Sequence, residues 1–181
     1  GLIECEKRKT LTGILRVVGE WISLSGLSRF MNKWSWSVSE VAKTWQERFR
    51  QRLESEVHAE HERLKAERQK SMGRPKATVV TGYLDFDDSV HVKTKGRSMG
   101  GLGKHYSNTE KRVVTGHCLF TGLYVLLGQR CPLPAQLYRQ KSVCEQEGVP
   151  FQSKIDMAVN AINDFEPVPG THTHVLVDTW Y

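Results

Sequence analysis

The chain has 181 residues, with 26 Lys and Arg against 20 Asp and Glu and a formal net charge of +6. No apolar run approaches the roughly 20 residues of a membrane helix, and the mixed-charge start GLIECEKRKT leads us to expect no secretory signal. A pI near 9.2 favours an anionic partner, nucleic acid first, although an ordinary basic protein has the same balance.

The first third reads as helical. Leu11, Ile14, Leu15, Val18 and Ile22 recur at spacings of three and four, the apolar face of a helix. SLSGLSRFM follows, with Ser23 or Ser25 as the cap of a short helix carrying Leu27 and Phe30. Ser37-x-x-Glu40 is a capping-box pattern ahead of a stripe of Val38, Val41, Ala42, Trp45, Phe49 and Leu53. Two short helices before a longer third are compatible with a helix-turn-helix, and a plain helical bundle, the favoured reading, fits the same pattern. Trp34 and Trp36 could stack on bases, whereas Trp45 is expected in a core. From Glu47 to Lys76 both charge signs alternate, which predicts the exposed end of a long helix laced by i,i+4 pairs. His58 and His61 lie on that solvated face. Gly73 and Pro75 break it, so we expect a boundary there, with a helical, DNA-binding region over 1–76 and a second domain over 77–181.

Composition changes after Lys76. ATVVTGYLDF reads as a strand, DDSVHVKTKGRSMGGLGKHYSNTEK as a glycine-rich basic loop, and RVVTGHCLFTGLYVLL as a long second strand. A third strand is expected near Ala135 to Tyr138. A helix over SKIDMAVNAINDF follows, with Ile155, Ala158, Val159 and Ile162 on one face, and THVLVD makes a fourth, buried strand. The order β-β-β-α-β gives a mixed α/β sheet. Cys5, Cys118, Cys131 and Cys144 form no CxxC pair, so neither a zinc knuckle nor a disulfide framework is expected, and a reducing cytoplasm is. His117 and Cys118, inside the second strand, read as core residues. His172 and His174 read as an edge position.

Asp85, Asp87 and Asp88 are placed at the end of the first strand and Asp178 at the end of the fourth. If those strands are neighbours, the acids face each other, and two close carboxylates call for a cation between them. Hard oxygen donors favour Mg²⁺ or Mn²⁺. Such a site activates water or a 3′-hydroxyl for in-line attack on a phosphodiester. Read alone, Asp87-Asp88-Ser89 is also an ordinary solvated turn. Lys93, Lys95, Arg97 and Lys104 stand among Gly96, Gly100, Gly101 and Gly103 in the basic loop. They read equally as phosphate contacts or as a flexible hairpin.

YLDFDDSVHVKTKGRSMGGLGKHYS, TGHCLFTGLYVLLGQRCPLPAQLYRQ, SKIDMAVNAI and THVLVDTWY, in that order over about Thr78 to Tyr181, resemble the DDE transposases of prokaryotic insertion sequences. The resemblance implies an α/β fold: an N-terminal helical region followed by an incomplete RNase H-like mixed sheet. It implies Asp88 and Asp178 as catalytic, metal-binding acids, with Asp87 the fallback for the first. Lys93, Lys95, Arg97 and Lys104 would contact DNA. The expected cofactor is Mg²⁺ or Mn²⁺, the partner double-stranded DNA at transposon ends, and the location the prokaryotic cytoplasm at the nucleoid. A homodimer of the full-length protein is an open expectation. The family's third acid, a Glu on a later helix, has no counterpart before Tyr181. The chain is therefore expected to be a fragment that does not cleave or join DNA alone. A non-catalytic nucleic-acid-binding protein is the alternative.

Overall fold

The computed structural model describes residues 11–18, 22–35, 37–70, 79–95 and 98–178. The chain divides into two compact units, Gly1–Val41 and Ala42–Tyr181. The boundary expected near residue 76 falls among residues 71–78, outside the described ones.

The first unit holds α1 (Leu11–Val18) and α2 (Leu24–Lys33). Ser23 caps α2: its hydroxyl accepts from the Gly26 amide at 3.0 Å, satisfying one of the amides a helix start leaves open. No residue of α2 is buried, and Leu24, Phe30, Met31 and Trp34 are exposed. Trp36 lies outside the described residues. Helix α3 (Val38–Lys70) begins in this unit and runs on through the second. The Ser37 hydroxyl accepts from the Glu40 amide at 3.2 Å, as the Ser-x-x-Glu spacing predicts.

The second unit is an α/β layer: a mixed sheet of six strands with α3 and α5 on one face. β1 (Val80–Val92) pairs antiparallel with β3 (Arg112–Leu126) and parallel with β6 (Thr171–Val177). The main order is β2-β3-β1-β6, with β2 spanning Gly103–Ser107. β4 (Gln129–Pro132) and β5 (Gln136–Tyr138) pair further along β3. Two helices, α4 (Lys141–Glu147) and α5 (Lys154–Asn163), precede β6. β3 alternates from Val113 to its end. Val114, Cys118, Phe120, Tyr124 and Leu126 are buried on one face, with Gly116 and Gly122 between them. On β1 the same face carries Val80, Leu84 and Phe86. Leu53 and Val57 of α3 and Met157 and Ala158 of α5 complete that core, with Val168.

Several expectations are corrected here. The sheet has six strands, not four, and two helices precede the last one. The supposed basic loop contains the end of β1 and all of β2, because His105 and Ser107 alternate inward opposite β3 even among glycines. β1 therefore continues four residues past Asp88 instead of ending there. Helix α3 is not merely a solvated ladder: the charged stretch hides Leu53 and Val57, one turn apart, against the core. Trp45 is 54% exposed, so the inward stripe starts at Phe49. His61 turns to the sheet, where its Nε2 lies 3.5 Å from the Val80 amide. Along α5, Met157, Ala158, Ala161 and Ile162 pack on the core while Ile155 and Val159 are exposed. β6 pairs as an edge strand, and Val175, Leu176 and Val177 are 41%, 47% and 47% exposed rather than buried.

Candidate functional site around Asp88

The parallel β1–β6 ladder ends at the pair Phe86 and Val177. Asp87 and Asp88 on one strand, and Asp178 on the other, are the first residues beyond it. One row further, the register sets Asp178 level with Asp87, and Asp88 one row beyond. Alternation separates the two strand acids. Asp87 is exposed on the face of Tyr83 and Asp85 and accepts from the Asp88 amide at 2.7 Å. Asp88 is half-buried on the face of Leu84 and Phe86, which carries the core. Asp178 is exposed.

Asp88 is the centre of a polar cluster where that core face gives way to solvent. Its Oδ2 takes an ion pair from Lys154 Nζ at 2.8 Å and lies 3.2 Å from the Cys118 thiol, which donates to it. The antiparallel register explains the thiol: Asp88 faces Phe120 and Val90 faces Cys118, so acid and thiol are diagonal neighbours on one face. Lys154 comes from the first turn of α5. Ser153 fixes that turn, its hydroxyl accepting from the Asp156 amide at 3.1 Å while the Asp156 carboxylate takes the Ser153 amide at 3.0 Å. The Lys154 ammonium also lies 5.3 Å from the centre of the Tyr138 ring. Tyr138 meets His105 edge to face at 6.2 Å.

These neighbours set the charges. Burial, reinforced by the thiol's bond to the Asp88 carboxylate, pushes the Cys118 thiol up to about 12, so it stays protonated and is no nucleophile at neutral pH. Burial pulls the Lys154 ammonium down, but Asp88, with Cys118 and Tyr138, more than offsets it and leaves Lys154 above its ordinary value. Burial first, and then the Lys154 charge, hold His105 below its ordinary value, against the pull of Asp88. His105 is 8% exposed, and its Nε2 has no hydrogen-bond partner among the described residues.

The basic residues are spread along the sheet. Lys93 and Lys95 are exposed just after β1, and Lys104 is exposed on β2. Arg97 and Gly96 lie outside the described residues. The Lys93 amide bonds the Thr115 carbonyl at 2.9 Å, and Val92 and Gly103 both pair with Gly116. Lys93 and Lys104 thus rise from one end of the sheet. Lys93 follows Asp88 by five positions, about 16 Å at strand rise. Glu166 pairs with Arg50 of α3.

A hard divalent cation is usually held by one or two carboxylates completed by water and substrate oxygens, and carboxylates such as Asp87, Asp88 and Asp178 are donors of that kind, with Asp178 level with Asp87 rather than with Asp88. No group of three or more His, Cys, Asp or Glu residues able to hold a metal occurs among the described residues. Sequence reading missed Lys154 and the thiol of Cys118. Neither had a local signal, because they meet Asp88 across 66 and 30 residues. Their only trace is that a lysine opens a helix and a cysteine interrupts an apolar strand. Among the described residues no helix is long and apolar enough to cross a membrane. Compared with known proteins, the chain matches no family model, no curated protein and no solved structure.

Proposed function

We propose that the chain is part of a DDE transposase of the prokaryotic insertion-sequence kind, with an RNase H-like catalytic sheet acting on double-stranded DNA at transposon ends. One observation carries the reading: β1 and β6 are parallel neighbours, and their ladder stops one row before Asp87 and Asp178 and two before Asp88. The +6 net charge supports an anionic polymer as substrate. Asp88 and Asp178 would hold Mg²⁺ or Mn²⁺, with Asp87 the fallback. When bound, the cation would supply charge neutralisation at the phosphodiester and an activated oxygen nucleophile. The residues of this chain would position the cation and present the DNA backbone to Lys93, Lys95, Arg97 and Lys104. The 181 residues are expected to bind metal.

Titration of Mn²⁺ into the purified chain tests the reading. Binding that weakens at least tenfold in both Asp88→Ala and Asp178→Ala is the expected result. Metal indifference with DNA binding intact would favour the second reading, a non-catalytic nucleic-acid-binding protein. That reading has its own observation, since Asp88 already carries a cation in the form of Lys154.

A further inference from the structure

Lys154 has a position that neither the fold nor helix capping requires. The capping box of α5 is closed by Ser153 and Asp156 without it. The helix buries Met157 and Ala158 in the core, and these anchor it to the sheet. Yet the first-turn lysine reaches across to β1 and sets its ammonium 2.8 Å from Asp88 Oδ2. The lysine side chain is 33% exposed, so the ammonium has a route to solvent along its own flexible stem. Its Nζ lies over the Tyr138 ring, 5.3 Å from the ring centre.

We propose that Lys154 is a stand-in cation: it occupies Asp88 in the metal-free chain and must swing away when a divalent cation takes that carboxylate. The inference rests on the reading of Asp88 as a metal ligand and adds a regulation of that site. Two positive charges cannot share one half-buried carboxylate without strong repulsion, so occupancy by the ammonium and by the metal exclude each other. The exchange keeps the Asp88 charge compensated at the margin of the core, where an uncompensated charge is costly. It also sets a threshold for metal loading. Lys154 acts through Asp88 and is a positioning residue.

The test is Mn²⁺ binding, followed by electron paramagnetic resonance of the free ion, on the full 181-residue chain and three variants. Lys154→Met removes the competing charge and should tighten Mn²⁺ binding by about tenfold. Lys154→Arg keeps the charge and should bind as weakly as the parent or more weakly. Asp88→Asn should lose the site. If Lys154→Met binds like the parent or more weakly while Asp88→Asn loses binding, the inference is overturned and the metal site stands. If no form binds Mn²⁺, both are overturned. A second measurement uses the parent chain alone. Reductive methylation of Lys154, followed by mass spectrometry, should speed up several-fold when Mg²⁺ is added. A rate unchanged at saturating Mg²⁺ would overturn the exchange even if Lys154→Met fails to fold.

Discussion

Tyr124 is the largest side chain buried to 1% or less, and its contacts show how one residue organises the core. Its ring meets Phe165 at 4.7 Å and Phe49 of α3 at 6.0 Å. It lies over Gly82 so closely that a Cβ there would stand 2.7 Å from the hydroxyl oxygen, which is why β1 needs a glycine at that row. The Tyr124 hydroxyl has no hydrogen-bond partner among the described residues. An unpaired buried hydroxyl is a cost that its removal relieves. Tyr124→Phe should therefore raise unfolding stability by about 1 kcal/mol, read from urea midpoints. A loss of similar size would mean that the hydroxyl is bonded after all. At this scale the sequence is partly legible. Gly82 inside a β-branched strand announces a close approach, but nothing local names Tyr124 as the partner. Asp88 was legible as an acid in a chemically suggestive place. Its ion pair with Lys154 was not, because it depends on how α5 lies across β1.

Elements were legible where local chemistry and burial agree. Ser23 and Ser37 mark helix starts because the cap hydroxyl meets an open amide whatever the tertiary context. β3 was legible as a strand from its long run of β-branched and apolar residues, but which face is buried was not, because both faces carry apolar side chains. β2 escaped notice because Gly103 and the glycines before it suggest a loop, while its strand character comes from pairing with β3. β6 was read as buried from Val175, Leu176 and Val177, but an apolar run does not say whether it has neighbours on both sides, and this one is at an edge. The β3–β4 hairpin offers a test of local strain. Its two-residue turn is Leu127-Gly128, and both residues have positive φ, 49° and 75°. That geometry favours Asn-Gly, and a leucine at the first position meets a steric penalty between its Cβ and the backbone. Leu127→Asn should stabilise the protein by about 1 kcal/mol in thermal or urea unfolding, with little change in the sheet's circular dichroism. A destabilised variant would show that the half-exposed leucine contributes more by packing than it costs by strain.

For the whole molecule, the balance of charge and its placement along the sheet decide what binding to DNA should look like. Twenty-six basic and 20 acidic residues leave a modest excess, so affinity has to come from where the positive charges lie. The acids lie on β1 and the lysines come directly after its end, with Asp88 and Lys93 about 16 Å apart at strand rise. At 3.4 Å per phosphate along a strand of duplex, that spacing is about five phosphates. If the acids face the reacting phosphodiester, Lys93 and Lys95 meet the backbone several steps away and hold register without touching the reacting group. Such contacts should leave a distinct signature. Each phosphate neutralised by a lysine releases counterions and steepens the fall of affinity with salt by about 0.9 in the log–log slope. The double variant Lys93→Glu/Lys95→Glu should therefore flatten that slope by about two for a duplex of arbitrary sequence, measured by fluorescence anisotropy between 50 and 200 mM salt. Mn²⁺ binding at Asp88 should be unaffected, because at about 16 Å the exchanged charges lie beyond the Debye length of roughly 8 Å at 0.15 M salt. An unchanged slope would take Lys93 and Lys95 off the DNA-contacting surface, and the search for it would move to the exposed arginines and lysines of α3.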